Sequence, residues 1–291
     1  MKRFLAFALL LTLLFAGCTT SRNKESDFLT VHFIDVDQAD CMLLVAGETT
    51  VLIDGGNTGT SWDVLSYLQR HGIDELDLVV NTHPHGDHLG GIPTVLEHIP
   101  AEEIWCSTTS FNTSLFNRFE NAADGQDLNI YNPAPGTTYA SDGLTIKVLG
   151  PLESNDSYTD LNDTSLVLMV KYGERKILFT GDMESYAEKQ LVEADIDLEA
   201  DVLKVGHHGS YSSTSQLFLN EVDPEYGIIC CGRNNEYGHP HDSPMNRLDR
   251  ADVTLFRTDL MGDIVLVTDG DELAFFLESG NTNLTGYDKA A

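Results

Sequence analysis

The sequence predicts an α/β protein of the α+β kind, arranged as a four-layer αββα sandwich of two packed sheets with helices outside. Three observations support this expectation. Apolar strands alternate with amphipathic helices from about residue 28 onwards, and a second half of the same kind follows the first. Three strand ends carry motifs rich in His and Asp, which indicates that they point at one place. We therefore expect a single domain over residues 28–291.

In the first half, strands and helices alternate. Helix 61–70 has apolar side chains at helical spacing, at Trp62, Leu65 and Leu68. The dipeptide Gly47–Glu48 predicts the turn of a hairpin. The expected strands are 28–36, 41–46, 50–54, 76–81 and 104–106, and the other expected helices are 92–98 and one near 115–123.

The second half repeats the pattern after a weakly patterned stretch from 107 to 143 that is rich in Asn, Asp, Gly and Pro. One helix is expected over 185–194. The apolar run that contains Cys230 and Cys231 predicts a buried strand. The other expected strands are 144–149, 165–172, 175–180, 201–205, 264–268 and 272–277.

The first 17 residues are typical of a signal peptide. A short basic start, Lys2–Arg3, precedes an apolar stretch from Phe4 to Ala16 that is too short to span a bilayer comfortably. The end of this stretch predicts a lipoprotein signal, with Cys18 lipidated and residues 18–27 as a polar tether. A plain secretory signal or an N-terminal anchor are the alternatives. A lipoprotein signal predicts that the protein is exported and anchored to the outer face of the cell membrane.

The chain is acidic, with a formal net charge of −29 over 291 residues and no block of basic residues. Nonspecific binding to nucleic acid depends on Lys and Arg that neutralise phosphates. This balance argues against a dedicated DNA-binding module. Of the five cysteines, Cys18 is assigned to the lipid; among the other four one disulfide is possible, but the sequence does not assign it.

The densest group of metal-ligand residues follows strand 76–81. His83, His85, Asp87 and His88 fall within six residues, and the two-residue spacing of the first pair lets both point the same way. Asp182 follows a second strand, and the pair His207–His208 follows a third. One site assembled from all three is the simplest interpretation. Zinc favours this mixture of imidazole and carboxylate, although manganese or iron would also accept it.

These motifs resemble those of the metallo-β-lactamase superfamily, whose hallmark is His-x-His-x-Asp-His. Within it, the chain is most similar to the hydrolase domains of ComEC-type competence proteins and to phosphorylcholine esterases. The resemblance covers residues 28 to about 280. The segments that carry it are 33–40, 51–56, 83–88, 162–167, 178–182, 203–210, 237–241 and 257–259.

The resemblance implies two divalent metal ions, zinc in the first place and manganese as the alternative. His83 and His85 would hold one ion. Asp87 and His88 would hold the other, together with His207 or His208, and Asp182 would bridge the two. A water between the ions would be the nucleophile.

One family position is missing, because many members place another histidine between the first motif and the bridging aspartate. Only His98 lies in that interval, and it is expected in a helix. Asn162 or Asp163 stands at about the expected place instead. The ion at His83 and His85 would then be open to water or a substrate oxygen, which disfavours the β-lactamases proper.

The predicted catalytic residues are Asp87, His208 and His241, and the predicted substrate contacts are Asn162 and Ser210. His208 and Ser210 would hydrogen-bond a phosphate, or else they belong to a structural turn. His241 would contact the substrate or donate a proton, or else stabilise its loop.

Two further expectations concern turns. Asp54 would orient a ligand histidine, or else simply begin the Gly55–Gly56 turn. Asp37 and Ala39 stand where relatives usually have glycine, so we expect a reshaped turn there.

The leading functional hypothesis is an exported, lipid-anchored, dinuclear phosphodiesterase that acts on DNA or on a phosphodiester polymer of the envelope. The acidic balance weakens the DNA version. A carboxylic-ester, thioester or lactone hydrolase is the second enzyme class, and a non-catalytic metal-binding lipoprotein is the non-enzymatic alternative. No protein partner is evident from the sequence.

Overall fold

The computed structural model describes residues 27–153, 159–278 and 282–283, and it confirms the four-layer αββα sandwich. The predicted signal peptide, Cys18 and all but the last residue of the tether lie outside the described residues. In the part of the chain that is described, no helix has the length and apolar character needed to cross a bilayer.

The first sheet has nine described strands, in the order β16-β15-β14-β1-β2-β3-β4-β5-β6. Its strands are β1 (Leu29–Phe33), β2 (Met42–Ala46), β3 (Thr49–Ile53), β4 (Leu76–Asn81), β5 (Ala101–Cys106), β6 (Ile130–Tyr131), β14 (Ile264–Thr268), β15 (Leu273–Leu277) and β16 (Thr282–Asn283). β3, β4, β5 and β6 are parallel neighbours.

The second sheet has seven described strands, in the order β13-β12-β11-β10-β9-β8-β7. Its strands are β7 (Thr138–Ser141), β8 (Leu144–Gly150), β9 (Val167–Tyr172), β10 (Arg175–Phe179), β11 (Val202–Lys204), β12 (Tyr226–Ile229) and β13 (Thr254–Arg257). β10 to β13 are parallel neighbours, so their carboxyl ends share one edge.

The helices lie on the outer faces of the two sheets. They are α1 (Ser61–Arg70), α2 (Gly86–Leu89), α3 (Ile92–Leu96), α4 (Ser114–Asp124), α5 (Ser185–Glu193), α6 (Gln216–Val222), α7 (Asp242–Arg250) and α8 (Thr258–Met261). Short 3₁₀ turns lie at Thr58–Thr60, Asn162–Thr164 and Gly206–Gly209.

Three apolar clusters account for the layers. The central one joins the facing sides of both sheets, for example Phe33 of β1 stacked on Phe179 of β10 with ring centroids 6.0 Å apart. A second cluster packs α1, α3 and α4 on the first sheet, and a third packs α5 and α6 on the second. Burial of apolar surface on both faces of each sheet explains why most strands read as continuous apolar runs.

The sequence interpretation missed elements whose patterns are weak. Strand 254–257 and helix 216–222 were not expected, nor was the polar helix 242–250, whose buried side chains are Pro244 and Leu248. The strand expected at 28–36 is shorter, because the chain leaves the sheet after Phe33. Cys230 and Cys231 are buried, as expected, but they follow the strand rather than lie in it.

The four described cysteines are free and buried, so the possible disulfide is not formed. Burial raises the pKa of the Cys106 thiol to about 12. These side chains therefore act as small apolar groups of the core.

Candidate metal centre

The three predicted motifs meet at one edge of the sandwich. β4 of the first sheet ends just before the segment 82–88, and in the second sheet β10 ends before Asp182 and β11 before His207 and His208. Because β10 and β11 are parallel, both deliver their motifs to the same edge. The facing sheet brings the first motif opposite them.

Four side chains of the kinds that bind metals form a compact set: Asp87, His88, Asp182 and His208. One ligand atom from each lies within 4.8 Å of the others. His208 Nε2 lies 3.4 Å from Asp87 Oδ2, and His88 Nε2 lies 3.2 Å from Asp182 Oδ1. Two imidazoles and two carboxylates are a donor set that zinc or manganese accepts.

Asp182 uses its two oxygens in different directions. Oδ1 faces His88, whereas Oδ2 lies 3.6 Å from His208 Nε2, 3.8 Å from His207 Nε2 and 4.0 Å from His83 Nε2. Every histidine that the motifs contribute except His85 therefore comes within about 4 Å of this one carboxylate. That is the position a bridging ligand requires.

Buried atoms without hydrogen bonds show that the set fits a cation. Among the described residues, His88 Nε2, Asp182 Oδ1 and His208 Nε2 are buried and make ion-pair contacts but no hydrogen bond. A buried polar atom without a partner costs roughly 1–3 kcal/mol. Three such atoms around one point are explained if a metal ion satisfies them.

The electrostatics of the set agree with that reading. Burial alone would raise the pKa of Asp182, but His88 and His208 outweigh it and hold the pKa well below its usual range. Burial would likewise lower the pKa of His208, yet Asp182 and Asp40 raise it to about 10. The site thus attracts positive charge, which protons supply when no metal does.

The orientation of His88 is fixed from behind. Its Nδ1 lies 2.8 Å from Asp54 Oδ2, and Asp54 Oδ1 accepts the backbone N–H of Thr82 at 2.8 Å. A Cβ on Gly91 would lie 2.1 Å from the carbonyl oxygen of Gly55, so a glycine is needed where this turn meets the motif. Asp54 therefore stands where a residue that orients a ligand histidine would stand.

His208 is held in a similar way by residues that the sequence interpretation did not single out. Its Nδ1 lies 2.8 Å from the carbonyl oxygen of Cys230 and 3.3 Å from Asp40 Oδ1. The other oxygen of Asp40 lies 2.7 Å from Lys204 Nζ, and this ion pair is fully buried. Lys204 lies in the otherwise apolar strand β11, and a lysine in such a strand indicates a buried ion pair.

His83 and His85 form a pair beside the four-residue set. His83 Nε2 lies 2.9 Å from His85 Nδ1, and His83 Nδ1 lies 3.3 Å from Ser165 Oγ. His83 is fully buried, whereas His85 is partly exposed. The structure thus brings both to the edge where they were expected, with His83 close to Asp182.

The backbone at His207 and His208 is unusual. Both residues have positive φ, 47° and 53°, which costs a non-glycine residue of order 1 kcal/mol or more. This conformation lets both imidazoles approach Asp182. His208 belongs to the four-residue set, while His207 is partly exposed and has its Nδ1 3.0 Å from Glu184 Oε1.

The segment without the third histidine lies beside His207. Asn162 Nδ2 approaches His207 Nδ1 at 3.5 Å and Glu184 Oε1 at 3.4 Å, and its buried Oδ1 has no described partner. Asp163 instead accepts the backbone N–H of Glu184 at 2.9 Å, next to the start of α5. Asn162 rather than Asp163 therefore reaches the site, and His98 lies elsewhere, against Trp62.

A pocket of about 260 Å³ opens over the centre. The described residues that line it are Gln38, His85, Gly86, Asp87, Asn162, Asp182, His207, His208, Tyr237 and His239. None of them is Lys or Arg. Recognition of an anionic group in this pocket would therefore depend on metal charge and on neutral donors.

His239 is a pocket residue that the sequence interpretation passed over in favour of His241. Gly232 donates its N–H to Gln38 Oε1 at 3.0 Å, so the Gln38 amide nitrogen faces His239 Nδ1 at 3.1 Å. The Gln38 amide nitrogen donates, so His239 Nδ1 accepts. The ring hydrogen of neutral His239 is therefore on Nε2. His239 thus offers a neutral N–H donor at the pocket.

Two predicted site residues lie differently from the expectation. Ser210 is buried and its hydroxyl pairs with Ser212 at 2.9 Å, so it takes the structural-turn alternative rather than a place in the pocket lining. His241 Nδ1 accepts the backbone N–H of Tyr211 at 3.1 Å, at the start of α7. That bond stabilises the loop, which was the alternative for His241.

The turn at Asp37 is not reshaped as expected. Asp37 itself adopts a φ of 65°, the conformation for which glycine is usually chosen, whereas Ala39 is buried with ordinary backbone angles. Aspartate tolerates this region better than most residues. The segment can therefore still place Gln38 and Asp40 at the site.

Comparison with known proteins agrees with the fold. The solved metallo-beta-lactamase fold protein YhfI from Bacillus subtilis superposes with a TM-score of 0.56 and 14% identity, over 84% of this chain and 100% of that one. At this identity, the similarity shows the fold alone.

Curated relatives are closer in sequence. ComE operon protein 3 of Bacillus subtilis is 31% identical over 252 residues, which is 80% of this chain and 32% of that protein. Recombination protein 2 of Haemophilus influenzae is 32% identical over 242 residues, which is 80% of this chain and 28% of that protein. The chain thus spans about a third of the length of these relatives.

A family model described as "Metallo-beta-lactamase superfamily" matches residues 34–233, which include all seven residues expected to hold metal. This segment carries most of the motifs from which the resemblance was first inferred, and those at 237–241 and 257–259 follow it. The chain therefore belongs to the metallo-beta-lactamase superfamily, with relatives of the ComEC type.

Proposed function

We propose that the protein is a dinuclear metal-dependent hydrolase of phosphodiesters. The observation that carries the proposal is the group of buried atoms of His88, Asp182 and His208 that make no hydrogen bond, beside the His83–His85 pair. Asp87, His88, Asp182 and His208 would hold one ion. His83, His85 and Asp182 would hold the other, with His207 as a further nitrogen.

When bound, divalent ions would supply an activated water and neutralise charge on the phosphoryl group. The protein's own groups would bind and orient the diester. Asn162 lies beside His207 and lines the pocket, where its amide N–H would reach a phosphoryl oxygen. His239 would donate its Nε2–H to a non-bridging oxygen or to the leaving group.

The pocket chemistry favours a compact diester over a long polyanion. No described lining residue is Lys or Arg, and the chain carries a net charge of −29. Long DNA would gain little from phosphate contacts here. Among the two substrates considered, a phosphodiester decoration of the envelope therefore fits better than DNA.

Hydrolysis of bis-p-nitrophenyl phosphate by the purified chain tests the proposal. We expect activity with zinc or manganese, loss on chelation and recovery when metal is returned. Asp182→Asn should lower kcat by at least about 1,000-fold, because it removes charge shared by both ions. Asp197→Asn, at an exposed carboxylate paired with Lys176, is the matched control and should leave the rate unchanged.

Turnover of a thioester, a lactone or nitrocefin with no turnover of any phosphodiester would replace this proposal with the second enzyme class. A chain that binds metal and turns over none of these substrates would be the non-catalytic alternative.

We also propose that the protein is exported and anchored through lipidated Cys18. The support is the sequence of residues 1–18 alone. In cells grown with a labelled fatty acid, the wild-type protein should carry the label and Cys18→Ser should not. Equal labelling of both would contradict lipidation at Cys18.

A further inference from the structure

A second group of metal-ligand side chains lies on elements that do not carry the candidate centre. It consists of His32 in β1, His71 directly after α1, and Glu278 directly after β15. One ligand atom from each lies within 4.8 Å of the others. We name these three residues the histidine–glutamate cluster. We propose that it is a structural binding site for a divalent ion of the zinc class.

The donor set supports this inference. Two imidazoles and one carboxylate are ligands that zinc takes at bonds of about 2.0–2.2 Å, so neighbouring ligands of a tetrahedral ion lie roughly 3.4 Å apart. His71 Nε2 and Glu278 Oε1 are 3.1 Å apart. Only a small adjustment would place an ion between them, with a fourth position left for water.

His32 is prepared to act as a ligand. It is 5% exposed, and burial, followed by the charge of His71, lowers its pKa to about 3, so the ring is neutral. The Tyr67 hydroxyl donates its one hydrogen to Glu278, so the 2.8 Å bond between Tyr67 and His32 Nδ1 uses the hydrogen of His32. The lone pair of His32 then resides on Nε2.

Tyr67 is the kind of neighbour that metal ligands have. Its hydroxyl contacts both His32 and Glu278, and its ring stacks on His71 with centroids 4.4 Å apart. Groups that contact ligands from outside fix their orientation. One side chain on α1 thus orients all three members of the histidine–glutamate cluster.

Charge and access also favour a cation. The Asp263 carboxyl lies near Glu278, and burial, together with the charges of Glu278 and Asp35, raises its pKa, while Arg70 offsets part of this negative charge. His71 and Glu278 keep 20% and 24% of their side chains exposed, so an ion can enter from solvent. A bound ion would tie α1 to β1 and to the segment after β15.

Zinc counting tests the site. The metal-free full chain would be loaded with zinc, desalted, and analysed for zinc per chain by mass spectrometry. Glu278→Gln and His71→Ala should each bind one ion fewer than the wild type. Glu193→Gln, at an exposed glutamate paired with Lys189, is the matched control and should bind as the wild type does.

A second measurement separates this site from the candidate centre. In an Asp182→Asn chain, zinc should still raise the melting temperature, and the added Glu278→Gln change should make that rise smaller. The readout does not depend on hydrolysis, so it stands whether or not the proposed function holds. Equal zinc counts in the wild type and both cluster variants would overturn the inference.

Discussion

On one side of Asp182, His88 and His208 are buried. The Asp54 carboxylate contacts Nδ1 of His88, and the Asp40 carboxylate and the Cys230 carbonyl contact Nδ1 of His208. On the other side, His85 and His207 are partly exposed, and Nδ1 of His83 contacts the hydroxyls of Thr82 and Ser165 at 3.3 Å rather than a carboxylate. The first side is preorganised and the second is open. We therefore expect the buried side to retain its metal ion and the open side to admit the substrate.

The sharpest test of this comparison replaces one member of the histidine pair at a time. His208→Ala removes a ligand from the buried side and should lower kcat for the diester by about 1,000-fold, with the loss of one ion per chain. His207→Ala should cost about 10–100-fold and leave the metal of the buried side in place, because His207 does not belong to the four-residue set of that side.

Both variants are measured in the same background, so any ion at the histidine–glutamate cluster contributes equally to the two counts. If His207→Ala released more metal than His208→Ala, the assignment of His208 to the buried side would be reversed.

The difference between the two sides also explains what the sequence could predict. Local spacing identified His83, His85, Asp87 and His88, and β-strand ends pointed to Asp182, because a ligand set on short segments leaves a local pattern. The groups that hold the buried side rigid leave no such pattern. Asp40 and Lys204 are 164 positions apart in the chain, and only packing of the two sheets joins them.

The sequence also could not show that His239 rather than His241 lines the pocket, for a related reason. The two histidines lie two residues apart in one loop, and their ring centroids are 4.9 Å apart. From the sequence, either one could face the site. The direction of each ring depends on Gln38, which comes from the other half of the chain, and on the backbone of Tyr211. Fold class, by contrast, depends on many apolar residues whose average pattern survives such local ambiguity.

The smaller expected effect concerns the residue behind His208. Asp40→Asn should lower diesterase activity about 10-fold, at the low end for groups behind a ligand, because the Cys230 carbonyl still accepts from the ring. It should also lower the free energy of unfolding by about 3 kcal/mol, since Lys204 would keep a buried, unpaired charge.

Asp40→Asn combined with Lys204→Met separates the two consequences. The double variant has no buried unpaired charge, so chemical denaturation should show most of the stability restored. Activity should stay reduced, because the charge of Asp40 no longer acts on His208. If activity instead returned together with stability, Asp40 would serve only to neutralise Lys204, and the rigidity of the buried side would rest on the Cys230 carbonyl and on Asp54.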